Sequence, residues 1–159
     1  MLVDSHCHLH MIDYDDLGIS FDELMNSCES LQHLLCVSTT PSDFLVMEKL
    51  TSPYKSKISL SAGLHPSEKS PEGWKEQINE YTNYDRVVAI GETGLDFHYD
   101  SIPREEQISN FSWQVDKARN TSLPLIIHTR EAKAETLDVL IDSGKYDVHV
   151  VMHCFTEDW

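Results

Sequence analysis

Six short apolar runs punctuate the chain: Leu2–His6, Leu34–Ser38, Ile58–Gly63, Val87–Gly91, Leu125–His128 and His149–His153. Several are almost continuous in apolar or small residues, which suits strands covered on both faces. Between them, apolar positions recur every three or four residues, the spacing of one helix face. Ser20-Phe21-Asp22-Glu23 has capping-box spacing and opens a helix reaching about Leu31. Thr40-Pro41 places proline at a first helical position ahead of Phe44, Leu45, Met47 and Leu50, and Ser70-Pro71 does the same ahead of Trp74, Ile78 and Tyr81. Pro103 to about Asn120 carries Ile108, Phe111, Val115 and Ala118 on one face. Glu131–Ser143 carries Leu137, Leu140 and Ile141, with Gly144 placed to stop it. Six strands alternating with five helices predict a parallel α/β sheet, with right-handed crossovers and ligands at the carboxyl ends of the strands.

At 159 residues the chain has the length of one ordinary domain, and no repeat, low-complexity tract or linker divides it. Hydrophobic content of 40% and charged content of 25% belong to a globular protein rather than a disordered one. No apolar run approaches the roughly 18 residues of a membrane helix, and no basic region followed by a long apolar core marks a secretion signal. The cysteines Cys7, Cys28, Cys36 and Cys154 lack CxxC spacing, so reduced thiols and a cytoplasmic location are expected. Twelve Lys and Arg against 27 Asp and Glu give a net charge of −15. That field repels polyanions at long range and excludes a basic module that coats nucleic acid. It does not exclude an enzyme acting on phosphates, because bound divalent cations reverse the sign within one cleft.

The candidate chemistry lies where the apolar runs stop. In Asp4-Ser5-His6-Cys7-His8-Leu9-His10, residues two apart share a strand face, so Asp4, His6 and His8 point one way. His6 and His8 could grip one cation, with Asp4 behind them orienting an imidazole. Glu92 stands just beyond the fourth run, among glycines, and its two oxygens could bridge two metal ions. The fifth run ends in His128, followed by Thr129 and Arg130, and the sixth ends in His153. Four imidazoles and a carboxylate at the ends of strands one, four, five and six predict a metal site. His10 has ligand parity but lies past the strand end, so a surface or supporting position is expected. Cys7 faces away from its neighbours, and a zinc–thiolate site would need more sulfur at tighter spacing, so Cys7 and Cys154 are expected to pack. His98 and His149 receive no role.

The stretches "DSHCHL", "GLHP", "GETGLD", "IIHTR" and "HCF", in this order and at these separations, resemble the TatD family of metal-dependent deoxyribonucleases, which belongs to the amidohydrolase-like TIM-barrel hydrolases. The resemblance covers the whole chain and implies a TIM-barrel (β/α)8 fold, here an incomplete barrel of about six parallel strands. It implies that His6 and His8 bind one metal and that Glu92 bridges to a second, held by His128 and His153. It also implies that His65 and Arg130 face the substrate phosphate, so that Glu92, His65 and Arg130 are the catalytic candidates. The cofactors implied are two divalent metal ions. Nitrogen-rich ligands suit zinc, manganese or another transition ion, whereas magnesium prefers more oxygen. The activity implied is cleavage of DNA phosphodiester bonds by two-metal activation of water.

A complete barrel of this type needs about 250 residues. The expectation is therefore a single domain, 1–159, lacking the last two β/α units and the late aspartate that the family supplies as a metal ligand. Asp158 precedes an expected helix instead of ending a strand and is no substitute. An open sheet would leave edges on its first and sixth strands, suited to a second chain that closes it. Two further readings stay open: a metal-dependent amide or ester hydrolase using the same water activation, and a weakly active or inactive metal-binding fragment.

Overall fold

The computed structural model describes residues 2–142 and 148–155. Its strands are β1 (Leu2–Cys7), β2 (Leu31–Cys36), β3 (Ile58–Ala62), β4 (Val87–Asp96), β5 (Leu125–Arg130) and β6 (Val150–Met152). They form one sheet in the order of the chain, and every neighbouring pair is parallel. Parallel neighbours require a long return segment over one face, and helices supply it. These are α1 (Tyr14–Leu17), α2 (Phe21–Ser27), α3 (Pro41–Thr51), α4 (Trp74–Tyr81), α5 (Arg104–Thr121) and α6 (Lys133–Asp142). The fold is the TIM-barrel type, opened between β6 and β1. No helix among the described residues is long and apolar enough to cross a membrane.

The core lies between the sheet and its helices. Phe44, Met47, Ile58, Leu60 and Ile78 fill it over β2 and β3, and Ile90, Phe111, Val115, Leu125, Ile127 and Leu140 fill it over β4 and β5. On the other face Val37, Ala89 and Ile126 make a small cluster, on the side of β5 that also carries His128. At the two edges Leu2, Val3, Val150 and Val151 remain exposed.

Several boundaries differ from the sequence reading. β2 starts at Leu31, three residues early, because Gln32 and His33 occupy its polar beginning; His33 Nε2 meets Ser59 Oγ on β3 at 2.8 Å. The expected helix from Ser20 keeps its capping box with Glu23 but stops at Ser27, freeing the chain to enter β2. Ser70-Pro71 does not open α4. Residues 71–73 form a turn, with Pro71 O accepting from Trp74 N and Gly73 left-handed, so the helix begins at Trp74. The short α1 had no sequence signal beyond its Asp13 cap. β4 was expected to stop at Gly91 and runs on to Asp96, which places Glu92 inside the strand. Helix α6 is described as far as Asp142; Ser143 and Gly144, where its end was expected, and residues 156–159 lie outside the described residues.

Candidate metal centre

Glu92 is 4% exposed and surrounded by imidazoles. Its Oε2 lies 3.2 Å from His6 Nε2 and 3.9 Å from His8 Nε2, while Oε1 lies 3.4 Å from His128 Nδ1 and 4.0 Å from His65 Nε2. Burial alone would raise its pKa. Contacts with His128 and His6, and the field of His65, outweigh burial and hold the carboxyl well below the usual range, so it is ionised. Its main chain is fixed by a 2.9 Å bond from Glu92 N to Ser38 O. His153 stacks on His6 with ring centroids 3.5 Å apart, so the carboxyl ends of the two edge strands meet at this point. Burial, followed by the nearby His6, lowers the pKa of His153 and favours the neutral ring.

The outer partners of the rings decide which nitrogens can bind a cation. His8 Nδ1 lies 2.8 Å from Val37 O. A carbonyl only accepts, so Nδ1 carries a proton, and a ring with that one proton turns its Nε2 lone pair toward His6 and Glu92. His128 Nε2 lies 3.0 Å from Asp96 Oδ2. Burial pulls the pKa of this ring down, but Glu92 and Asp96 together raise it. Protonated, the ring donates to both carboxylates; deprotonated at Nδ1, it presents a lone pair toward Glu92 while Asp96 retains the Nε2 proton. Lone pairs thus converge from both sides on an ionised carboxylate with two free oxygens. That donor set, imidazoles braced from behind by acceptors, fits a divalent cation.

Two groups bring their donor atoms within 4.8 Å of one another: His6, Glu92 and His153, and His65, Glu92 and His128. This sorting differs from the expected one, in which His153 belongs with His128 and His65 belongs to the substrate. The hydrogen bonds around His65 restore its separate character. Ser67 N donates to His65 Nδ1 at 3.2 Å, so Nδ1 is the acceptor and the neutral ring keeps its proton on Nε2. Burial, reinforced by His128 against the opposing pull of Glu92, brings its pKa down to about 4. His65 is therefore a neutral N–H donor beside the carboxylate, suited to an anionic oxygen.

Arg130 ends β5 and, with His128, Thr129, His153 and Cys154, lines an adjoining cleft of about 410 Å³. Two sequence expectations, for Asp4 and Cys154, need correction, and one of the two positions expected for His10 is selected. Asp4 braces no imidazole, because its Oδ1 accepts from the main-chain N of His6 at 3.0 Å. His10 is no surface residue: the turn Leu9–Met11 folds its side chain inward to 3% exposure, between Cys36 Sγ at 3.8 Å from Nδ1 and Asp43 Oδ2 at 3.8 Å from Nε2. Burial lowers the His10 pKa, yet Asp43 and Cys36 prevail and raise it to about 9. Cys7 packs against the core as expected, whereas Cys154 is exposed at the cleft.

Asp96 is a site residue that the sequence reading left without a role, although "GETGLD" contains it. It lies four positions after Glu92, and the even spacing along one strand offered a signal that the expected end at Gly91 concealed. Asp96→Ala should weaken Mn²⁺ binding by about 10- to 100-fold, the usual cost of removing a ligand's outer partner. The fold should persist, because Gln107 holds the main chain of Asp96 rather than its carboxylate. Titration calorimetry checks this, and unchanged affinity would remove Asp96 from the site.

Gln107 and Gln114 were also missed. They lie seven residues apart on α5, on the stripe of Phe111 and Ala118, and both are buried. Gln107 Oε1 accepts from Asp96 N at 2.8 Å and its Nε2 donates to Asp96 O at 2.9 Å. Gln114 pairs with Leu64 in the same two-bonded way, at 2.8 and 3.1 Å, next to His65. Gln114→Leu leaves a buried N–H and C=O without partners. It should cost about 2 kcal/mol of stability, at roughly 1 kcal/mol or more per orphaned group, measured by urea denaturation.

A parallel sheet in barrel order, with imidazoles and a carboxylate gathered at the carboxyl ends of its strands, is the layout of the metal-dependent barrel hydrolases. The chain belongs to the TatD family: the family profile described as TatD related DNase matches residues 3–159. It is 35% identical to YcfH of Escherichia coli, an uncharacterised metal-dependent hydrolase, over 99% of this chain and 60% of that protein. It is 30% identical to the putative deoxyribonuclease TATDN3 of Mus musculus, over 97% of this chain and 56% of that one. The crystal structure of YjjV, a TatD homologue from E. coli, superposes with a TM-score of 0.84 at 25% identity, covering 99% of this chain and 61% of that chain. The chain thus spans about 60% of the length of the E. coli relative.

Proposed function

We propose that this chain carries the larger part of a metal-dependent hydrolase site that cleaves DNA phosphodiester bonds. The observation that supports it best is the arrangement around Glu92, where braced imidazoles meet both oxygens of one buried carboxylate and a neutral N–H donor stands alongside. His6, His8, Glu92, His128 and His153 would hold two divalent ions, zinc, manganese or magnesium. Ions in that position would supply Lewis acidity, making water more acidic and offsetting charge on phosphate oxygens. His65 would donate its Nε2 proton in a hydrogen bond to a phosphate oxygen. Arg130 would fix a second oxygen through its planar fork. Glu92 would keep its place because Ser38 anchors its main chain, and its charge because the contacts with His128 and His6 outweigh burial. The putative deoxyribonuclease TATDN3 among the relatives favours a nucleic-acid phosphodiester over an amide or ester.

The test is elemental analysis of metal bound per chain, with digestion of single-stranded DNA by the same sample. Two metals with cleavage support the proposal; no metal and intact DNA sink it. His65→Ala should keep the metal content and lower DNA cleavage by about 100-fold, the scale of losing one positioned donor. Equal loss of metal and cleavage would make His65 a ligand instead.

A further inference from the structure

Beyond Asp96, the loop after β4 brings Tyr99 against Arg130. At 54% exposure Tyr99 is the most exposed aromatic side chain among the described residues. Arg130, which lines the cleft, places its guanidinium 5.2 Å from the centroid of the Tyr99 ring. The loop is tied down through His98. His98 meets Tyr99 edge-on at 4.6 Å and pairs through Nδ1 with Glu131 Oε1 at 2.7 Å, joining the ends of β4 and β5. An exposed aromatic ring held this way, against an arginine that lines the cleft, has little reason in packing. It offers a flat apolar surface next to the residue that would hold a phosphate.

We infer that Tyr99 is a specificity residue, a platform on which a nucleobase stacks while Arg130 holds the phosphate attached to it. The inference rests on the phosphodiesterase reading above and adds the part of the substrate that Tyr99 reads. Stacking on an aromatic ring favours any base without selecting sequence, so the platform would distinguish nucleotides from phosphates that lack a base.

Titration calorimetry with Mn²⁺ present tests this, using deoxyadenosine monophosphate and 2-deoxyribose 5-phosphate as probes. The unaltered chain should bind the nucleotide about 10-fold more tightly. Tyr99→Ala should abolish that preference, and Tyr99→Phe, which keeps the ring, should retain it. No preference in the unaltered chain would overturn the inference. So would an equal loss for both probes in Tyr99→Ala, because Tyr99 would then only support Arg130. A preference that depends on Tyr99, in a protein that leaves DNA intact, would uphold the platform and count against the hydrolase reading alone.

Discussion

Glu92→Gln should lower divalent-metal affinity by at least about 100-fold, beyond what is typical when only an outer partner of a ligand is lost, and should reduce any DNA cleavage by about 1,000-fold. The substitution preserves shape and removes charge. Glu92 presents Oε2 to His6 and His8 and Oε1 to His128 and His65. Glutamine keeps one acceptor and replaces the other with an amide that donates, so one side would meet lone pairs with hydrogens. Folding should survive, because the Glu92 main chain is anchored by Ser38 and the strand continues on both sides. Metal titration and elemental analysis read the result, with thermal melting to confirm the fold. Unchanged stoichiometry would sink the bridging role.

Gly94→Ala should cost about 4 kcal/mol, combining about 2 kcal/mol of backbone strain with about 2 kcal/mol of overpacking. Gly94 has φ +135°, a conformation open to glycine, and an added Cβ would collide with the main-chain oxygen of His128 on the paired strand. That oxygen belongs to rigid sheet and cannot swing away as a side-chain tip could. Because the displaced residue is a candidate ligand, metal affinity should fall with stability. Gly18→Ala is the control. Gly18 has φ +64° with nothing within 4 Å of the added carbon, so only the conformational cost of about 1 kcal/mol applies. Urea denaturation of both variants measures the difference, and equal losses would mean that β4 and β5 are not in close contact at Gly94.

The site shows what a linear pattern can reveal. His6, His8, Glu92, His128 and His153 were each legible as candidates because each follows an apolar run, where a polar, chemically capable residue is poorly explained by packing. Asp96 was not legible, because the run preceding it breaks at Gly91 and Gly94, glycines that pass through the strand with positive φ instead of ending it. The buried faces of Gln107 and Gln114 were hidden for a related reason. A glutamine on a helix reads as solvent-facing until a backbone N–H and C=O of another element are found opposite it.

The amino-acid order by itself determined the alternation of strands and helices, the parallel sheet and the identity of the candidate ligands. Those follow from local periodicity and from the ends of apolar runs, which neighbours along the chain define. Only the tertiary structure decided which ring faces which oxygen. It stacked His153 on His6 from the opposite edge of the sheet, turned His10 inward toward Asp43, and set Val37 O and Asp96 behind His8 and His128. Those outcomes depend on groups about thirty or more residues apart in the chain meeting in space, and the proton on an imidazole is placed by the acceptor that it meets there.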